Sequence, residues 1–260
     1  MKRTIPFEKY EATGNDFIIL DFFEFEWIDL NDSHLIKKMC DRHFGIGADG
    51  LIALCSEPGM DFKMKYYNSD GNPSSFCGNG SRASVRYMQS KQAKNNFSFT
   101  AFDGLHESFV KNQLVSVKMK DIQGFQHTKE GSLIQSGSPH LIREVSNPWE
   151  YDVHNQGRNL RKKFDPDGVN VNFIEIFGDV LRIATYERGV EAETLACGTG
   201  VTASAYFAAL KAQASGNFQQ FIESKGGNLE VNMEINGLVA SNIWLTGPAN
   251  YVFSGFYRLD

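Results

Sequence analysis

The sequence predicts an α/β protein of two similar halves, each a sheet folded round a helix, and three observations carry that prediction. Cys77-Gly78-Asn79-Gly80-Ser81-Arg82-Ala83-Ser84 returns as Cys197-Gly198-Thr199-Gly200-Val201-Thr202-Ala203-Ser204, so the frame C-G-x-G-x-x-A-S occurs twice, 120 positions apart in a chain of 260 residues. A repeat distance near half the chain length divides it into two domains of ordinary size. Period-two strand patterns run along most of the chain, and long helical patterns are few. One helical stretch, Ala203-Ser204-Ala205-Tyr206-Phe207-Ala208-Ala209-Leu210, is small and apolar on nearly every side, as in a helix enclosed by other structure. A sheet wrapped round it accounts for that pattern.

Taken in chain order, Phe62-Lys63-Met64-Lys65-Tyr66 alternates apolar and charged residues and reads as a half-buried strand. The first copy of the repeated frame leads into a helix over Ala83 to Met88; Arg82 and Arg86 make its enclosure less evident. Leu114-Val115-Ser116-Val117-Lys118-Met119-Lys120 alternates again. Asp121 to Gly131 is polar and weakly patterned, and the crossover between halves is placed there. The halves are therefore expected at 1–121, carrying Cys77, and 122–249, carrying Cys197, with about 250–260 packing back onto the first half. Phe173-Ile174-Glu175-Ile176 and Leu181-Arg182-Ile183-Ala184 make a hairpin turning at Gly178-Asp179. Leu229, Val231, Met233 and Ile235 alternate with Glu230, Asn232 and Glu234, and Asn236-Gly237 then supplies the two positive-φ residues of a type I′ turn before Leu238-Val239-Ala240.

Composition narrows the function classes. A net charge of −5 does not suit nucleic-acid binding, which calls for clustered Lys and Arg. The basic piece Arg158 to Lys163 reads as solvated surface. Met1 to Glu8 lacks the apolar core of a signal peptide, and no stretch approaches the ~18 apolar residues of a membrane span, so a cytoplasmic protein is expected. Cys40, Cys55, Cys77 and Cys197 are too few for a disulfide scaffold and form no C-x-x-C metal or redox pair. Reduced thiols and no metal are expected.

The chemistry sits in the repeat. In each copy a cysteine precedes a glycine-rich turn and a helical run, where unpaired backbone N–H groups and the helix dipole favour thiolate over thiol. Two such thiols across one cleft suit a reaction that takes a proton from one face of a carbon and returns one to the other, a racemisation or epimerisation. A single C-G-x-G is weak evidence, because buried structural cysteines and glycine turns are common; the duplication gives it weight. Neither loop carries the G-K-[ST] ending of a P-loop or the full dinucleotide fingerprint, so the anion cradled at these helix starts is better read as a carboxylate.

Other fragments acquire meaning in combination. Gly14-Asn15-Asp16-Phe17, Gly45-Ile46-Gly47-Ala48-Asp49-Gly50, Tyr67-Asn68-Ser69-Asp70-Gly71, Cys77-Gly78-Asn79-Gly80, Pro139-His140, Asn170-Val171-Asn172-Phe173, Glu187-Arg188-Gly189 and Glu193 to Gly200 follow one another in that order. Together they resemble the diaminopimelate epimerase family. The last ~60 residues add strands without a diagnostic motif.

The resemblance implies two pseudo-symmetric domains, each a β-barrel-like sheet round a central helix, with the active site in the cleft between them. It implies conversion of LL-2,6-diaminopimelate to the meso form without pyridoxal phosphate or metal, in the supply of lysine and peptidoglycan precursors. Cys77 and Cys197 would be the base and acid, and the backbone of Gly78, Asn79, Gly198 and Thr199 would hold the reacting carboxylate. By the same carry-over Arg188 grips the distal carboxylate, helped by Asn68 and Asn170 rather than Asn172, while Asn15 and Glu187 contact ammonium groups. The family also sets His140 near the site, and Ser138 stands where it often has Asn. Three alternatives stay open: a proline or hydroxyproline racemase of the same fold, a thiol redox protein, and a carboxylate-binding module without catalysis. No motif encodes an oligomeric state; because dimers are the commonest assembly, a homodimer is expected.

Overall fold

A computed structural model describes residues 4–74 and 76–259. The chain divides into two compact units, one running to Val117 and rejoined from Pro248 onward, the other Lys118–Gly247.

The first unit contains β1 (Thr4–Ala12), β2 (Asn15–Phe22), α1 (Ser33–Cys40), β3 (Gly50–Cys55), β4 (Phe62–Asn68), α2 (Gly78–Lys91), β5 (Asn96–Ala101), β6 (Gly104–Lys111) and β7 (Leu114–Lys118), with the C-terminal strand Asn250–Arg258. The strands lie side by side as C-terminal strand, β1, β2, β3, β4, β5, β6 and β7, antiparallel except for the parallel pairs β2 with β3 and β4 with β5. The sheet curls round α2, which packs on β1, β2, β3, β4, β6 and the C-terminal strand. Alternate side chains serve two cores. Phe17, Ile19, Ile52, Leu54 and Phe62 face the α2 residues Ala83, Val85, Tyr87 and Met88. Ile18, Leu20, Leu51 and Ala53 face the other way, against Ile36 and Met39 of α1. Burial on both faces explains why β2 and β3 read as near-continuous apolar runs. Asp32 starts α1 by accepting from Leu35 N at 3.0 Å.

The second unit contains β8 (Phe125–Thr128), β9 (Gly131–Gln135), β10 (Pro139–Glu144), α3 (Val153–Lys162), β11 (Asn170–Phe177), β12 (Val180–Glu187), β13 (Ala192–Thr194), α4 (Gly198–Lys211), β14 (Gly216–Ser224), β15 (Gly227–Asn236) and β16 (Val239–Gly247). The order β8, β9, β10, β11, β12, β14, β15, β16 is antiparallel except for the parallel pairs β10 with β11 and β12 with β14. That sequence of pairings is the same as in the first unit, which establishes the internal pseudo-symmetry. The helices repeat too: α1 and α3 cross between the first parallel pair of each unit, α2 and α4 between the second. In the second unit α4 packs on β9, β10, β11, β12, β14, β15 and β16, and the opposite face carries Val171, Phe173, Ala184 and Tyr186 against Val153 and Leu160 of α3.

Several local expectations hold, and three need amendment. The hairpin at Gly178-Asp179 is present, with Phe177 paired to Val180. The last hairpin turns one residue later than expected: Asn236 pairs with Val239, so Gly237 and Leu238 make the turn, with Gly237 at φ 60°. Glycine at the first central position is the requirement of type II′, and Asn236 ends the strand instead of entering the turn. The weakly patterned segment Asp121 to Gly131 contains β8, none of whose four residues is fully buried, so no buried face marks it by alternation. The first helix, whose enclosure was less evident, is buried from Gly78 through Val85, with Arg82 wholly inside. Among the described residues no helix is long and apolar enough to cross a membrane.

Candidate active site

Both copies of the repeated frame fold alike. Cys77 is the N-cap of α2 with φ −123° and ψ 110°, and Cys197 is the N-cap of α4 with φ −117° and ψ 112°. Each cysteine carbonyl accepts the first helical bond, from Ser81 N and from Val201 N, at 2.8 Å. Gly78 and Asn79, like Gly198 and Thr199, form the first helical turn, whose N–H groups point out along the axis toward any anion placed there. The sulfurs meet different groups. Cys77 Sγ accepts from Gly80 N at 3.3 Å, whereas Cys197 Sγ lies 3.5 Å from Thr199 Oγ1.

In the first unit a buried cation braces the helix start. Arg82 Nη2 donates to Asn79 Oδ1 and Thr13 Oγ1, each at 3.0 Å, and Nε donates to Pro248 O at 3.4 Å. Its Nη1 has no hydrogen-bond partner among the described residues. Burial pulls the guanidinium down to about 10, opposed by the attraction of Cys77 and Glu11, so it remains a cation at neutral pH. Thr13 and Gly14, at φ 50° and 80°, are the turn between β1 and β2, and Arg82 thus clamps the turn that delivers Asn15. The Asn15 side-chain carbonyl is buried with no hydrogen-bond partner among the described residues. Beside it, Asp16 binds Lys9 at 2.8 Å and Arg42 at 2.7 Å, and Arg42 reaches Asp49 at 2.8 Å. Burial alone would raise the Asp16 carboxyl, but Arg42 and Lys9 hold it down at about 2. Asn68 ends β4 opposite Gly50, and its backbone closes a turn by donating to Asn72 O at 3.0 Å. Phe76, just before Cys77, stacks on His106 at 4.2 Å, and His106 Nε2 is held 2.8 Å from Asp103.

In the second unit the polar side chains come from strands β10, β11 and β12, the loops at their ends and the start of α4. His140 on β10 is wholly buried, and burial pushes it down to about 3, with Arg188 acting in the same direction, so the ring is neutral. Its Nε2 lies 2.9 Å from both Ser138 Oγ and Thr199 Oγ1, and its Nδ1 lies 2.9 Å from Asn172 Nδ2. Asn170 donates to Ser138 Oγ at 3.1 Å and accepts from Arg188 N at 2.9 Å. Arg188 Nη1 donates to Asp167 O at 2.9 Å. Glu187 accepts from Thr194 Oγ1 at 3.0 Å. Ser138, His140, Asn170, Arg188 and Thr199 are thus brought together within this unit, and Asn15, Asn79 and Cys77 lie in the Arg82 assembly of the other.

Sequence reasoning missed some of these partners. The sequence marks neither Lys9 nor Thr185, which donates to Asn172 Oδ1 at 2.9 Å; it ranks Asn172 below Asn170 and shows Arg82 only as a doubt about enclosure. A signal exists for Asn172: two asparagines alternate with Val171 and Phe173 at the buried start of the strand, and polar groups at inward positions must find partners. The remaining thiols, Cys40 and Cys55, lie outside these two assemblies. Burial pushes Cys40 up to about 12 and also raises Cys55. Among the described residues no three His, Cys, Asp or Glu side chains converge as a metal site.

The family model described as diaminopimelate epimerase matches residues 7–122 and 132–252. The diaminopimelate epimerase of Flavobacterium psychrophilum is 42% identical over 251 residues, covering 94% of this chain and 97% of that protein. The diaminopimelate epimerase of Chlorobaculum tepidum is 36% identical, covering 95% and 99%. Among solved structures, a Bacillus anthracis phenazine biosynthesis protein of the PhzF family superposes with a TM-score of 0.78 at 16% identity, covering all of both chains. A hydroxyproline epimerase from Agrobacterium vitis gives 0.73 at 13% identity, over 100% of this chain and 92% of that one. At such identities these two structures speak for the fold alone.

Proposed function

The chain belongs to the diaminopimelate epimerase family and is an isomerase, and from that premise we propose that Cys77 and Cys197 are the acid and base by which it inverts one α-carbon of LL-2,6-diaminopimelate to give the meso form. The observation that carries the reading is the repeated N-cap: two cysteines with the same backbone conformation, each at the head of a buried helix. Removing an α-proton from an ammonium carboxylate builds negative charge on the carbon and its carboxylate, and preorganised donors must meet that charge as it forms. The first-turn N–H groups of α2 and α4 supply them. One sulfur, as thiolate, takes the proton, and the other, as thiol, delivers one to the opposite face. The reading invokes neither metal nor pyridoxal phosphate, since two sulfurs suffice as acid and base.

The distal ammonium and carboxylate require both charge signs. In this reading Arg188 grips the carboxylate, Asn68 and Asn170 support it, and Asn15 and Glu187 meet ammonium groups. The buried, unsatisfied carbonyl of Asn15 supports its share, because such an atom gains a full hydrogen bond from a bound ammonium. Because both sulfurs must stay reduced, the reading puts the enzyme in a reducing compartment, the cytoplasm. A homodimer is part of it as well, supported by the apolar Tyr251, Val252, Phe253 and Phe256 exposed on the C-terminal strand.

The test is proton NMR of LL-diaminopimelate in heavy water with reduced protein, beside Cys77→Ala and Cys197→Ala. The wild type loses one α-proton signal as the meso isomer forms, and each variant falls by a factor of roughly 10²–10⁴ or more. Because the sulfurs work as one thiolate and one thiol, the activity profile is bell-shaped and belongs to the pair. Exchange by both variants at the wild-type rate rules the assignment out.

A further inference from the structure

Four side chains of the second unit form a chain of hydrogen bonds that ends on a cysteine sulfur, and its polarity can be worked out. Asn172 sits directly opposite Thr185 in the antiparallel β11 and β12 pair. Thr185 Oγ1 donates to Asn172 Oδ1 at 2.9 Å. The other end of the amide faces His140 Nδ1 at 2.9 Å and the Leu141 carbonyl at 3.5 Å. A carbonyl can only accept, so the group facing both must be the NH₂, and His140 Nδ1 must be the acceptor. The ring proton therefore lies on Nε2, which points at Thr199 Oγ1 and Ser138 Oγ; the Asn170 amide, 3.5 Å from Nε2, directs its two hydrogens to Ser138 Oγ at 3.1 Å and Pro139 O at 3.2 Å instead. Ser138 Oγ already accepts from Asn170, and its own hydrogen has Thr199 Oγ1 within 3.2 Å. Donors thus converge on the Thr199 oxygen, and its hydrogen is left to point elsewhere. Cys197 Sγ is 3.5 Å away.

We infer that Asn172 is a positioning residue: it locks His140 in the Nε2–H tautomer, so that Thr199 donates its hydroxyl hydrogen to Cys197 and stabilises the sulfur as thiolate. Close packing shows how firmly the pair is set. Gly200 lies so near that a Cβ there would come 2.4 Å from Asn172 Oδ1 and 3.2 Å from His140 Cε1. The chain is built from neutral groups, His140 included, so its direction does not reverse as pH varies near neutrality. Arg188 is the charged group that acts on the ring, and it disfavours a second proton there. The first unit differs: Cys77 Sγ takes the Gly80 backbone N–H, and Arg82 lies where the repeat has Thr202. The two sulfurs are consequently tuned by different means, one by a buried cation nearby and the other by an oriented hydroxyl.

The inference rests on the catalytic role proposed for Cys197, and its readouts are independent of turnover. In wild-type protein labelled with ¹⁵N-histidine, the two-bond proton–nitrogen spectrum is expected to show His140 with a protonated Nε2 and a bare Nδ1, unchanged over roughly pH 5.5 to 8.5. A proton on Nδ1, or titration in that range, overturns the inference without any variant having to fold. In a Cys77→Ala background, alkylation of Cys197 by iodoacetamide at pH 7, read by mass spectrometry, is expected to slow about tenfold with Thr199→Val and to recover with Thr199→Ser, an upward shift of about one pH unit. Asn172→Leu, close in shape, is expected to give mixed tautomers and slower alkylation. Alkylation of Thr199→Val at the parent rate overturns the relay alone. Epimerisation that survives loss of either cysteine instead removes the functional reading and leaves these results standing.

Discussion

Burial acts on Arg82 and His140 in opposite ways, and each has a measurable consequence. Arg82 keeps its charge inside and spreads it over three acceptors from separate segments, Thr13, Asn79 and Pro248. Lysine cannot reach three acceptors from one planar head. Arg82→Lys is therefore expected to lower stability by about 2 kcal/mol, seen as a lower urea midpoint with unchanged slope. His140 instead gives up its charge. Its folded pKa of about 3 lies below the ~6.5 of an unfolded histidine, so the unfolded state binds the extra proton first. Its contribution to stability is complete above about pH 6.5 and is lost progressively as pH falls toward 3. Urea midpoints measured from pH 7 down to pH 5 should fall, and the fall should be shallower in His140→Gln. Asp16, held at about 2, adds a later loss between about pH 4 and 2. None of these partners was legible as a pair in the sequence. Arg82 and Pro248 are 166 positions apart, and no local pattern records such a contact.

At the scale of elements, the two frames look equivalent as strings and differ as packed helices. A Cβ on Gly80 would be tight only against the end of the Ile52 side chain at 3.2 Å, with Cys77 Cβ and Sγ in ordinary contact at 3.5 and 3.6 Å, whereas one on Gly200 would meet the anchored Asn172 at 2.4 Å. Gly80→Ala is expected to be tolerated, the neighbour's shift being offset by the ~1 kcal/mol gain in helix propensity. Gly200→Ala should be destabilised by about 1–3 kcal/mol through overpacking, and thermal unfolding of the two variants side by side reads the difference. Strands with one solvated face were legible from alternation, as in Phe62 to Tyr66 and Leu229 to Ile235. Turn position was less so. Asn236-Gly237 carries the composition of a type I′ turn, yet the register sets Gly237 and Leu238 at the corner. Conversely Thr13-Gly14 takes positive φ at both positions without that composition, with the Thr13 hydroxyl held by Arg82. Tertiary partners outweighed local preference in that turn.

At the scale of the molecule, connectivity makes the units unequal. The second is one continuous segment, Lys118–Gly247, while the first needs the strand Asn250–Arg258 paired along β1 from Thr4 to Glu11. A chain ending at Gly247 should therefore lose the cooperative unfolding of its first unit, whereas the segment 118–247 alone should fold and unfold cooperatively, as followed by circular dichroism in urea. The repeated frame, its spacing and the enclosed apolar helix were enough for the sequence by itself to determine the doubled α/β architecture, because it is written in local patterns that recur, and the ordered motif fragments carried the resemblance to the family. Only the tertiary structure decided that the two cysteine sulfurs meet different groups, Gly80 N at one and Thr199 Oγ1 at the other, that Arg82 is buried among three segments, and that Asn172 lies against the His140 ring. Those outcomes depend on which distant strands become neighbours and in what register, and a hydrogen bond between residues far apart in the chain leaves no periodicity to read.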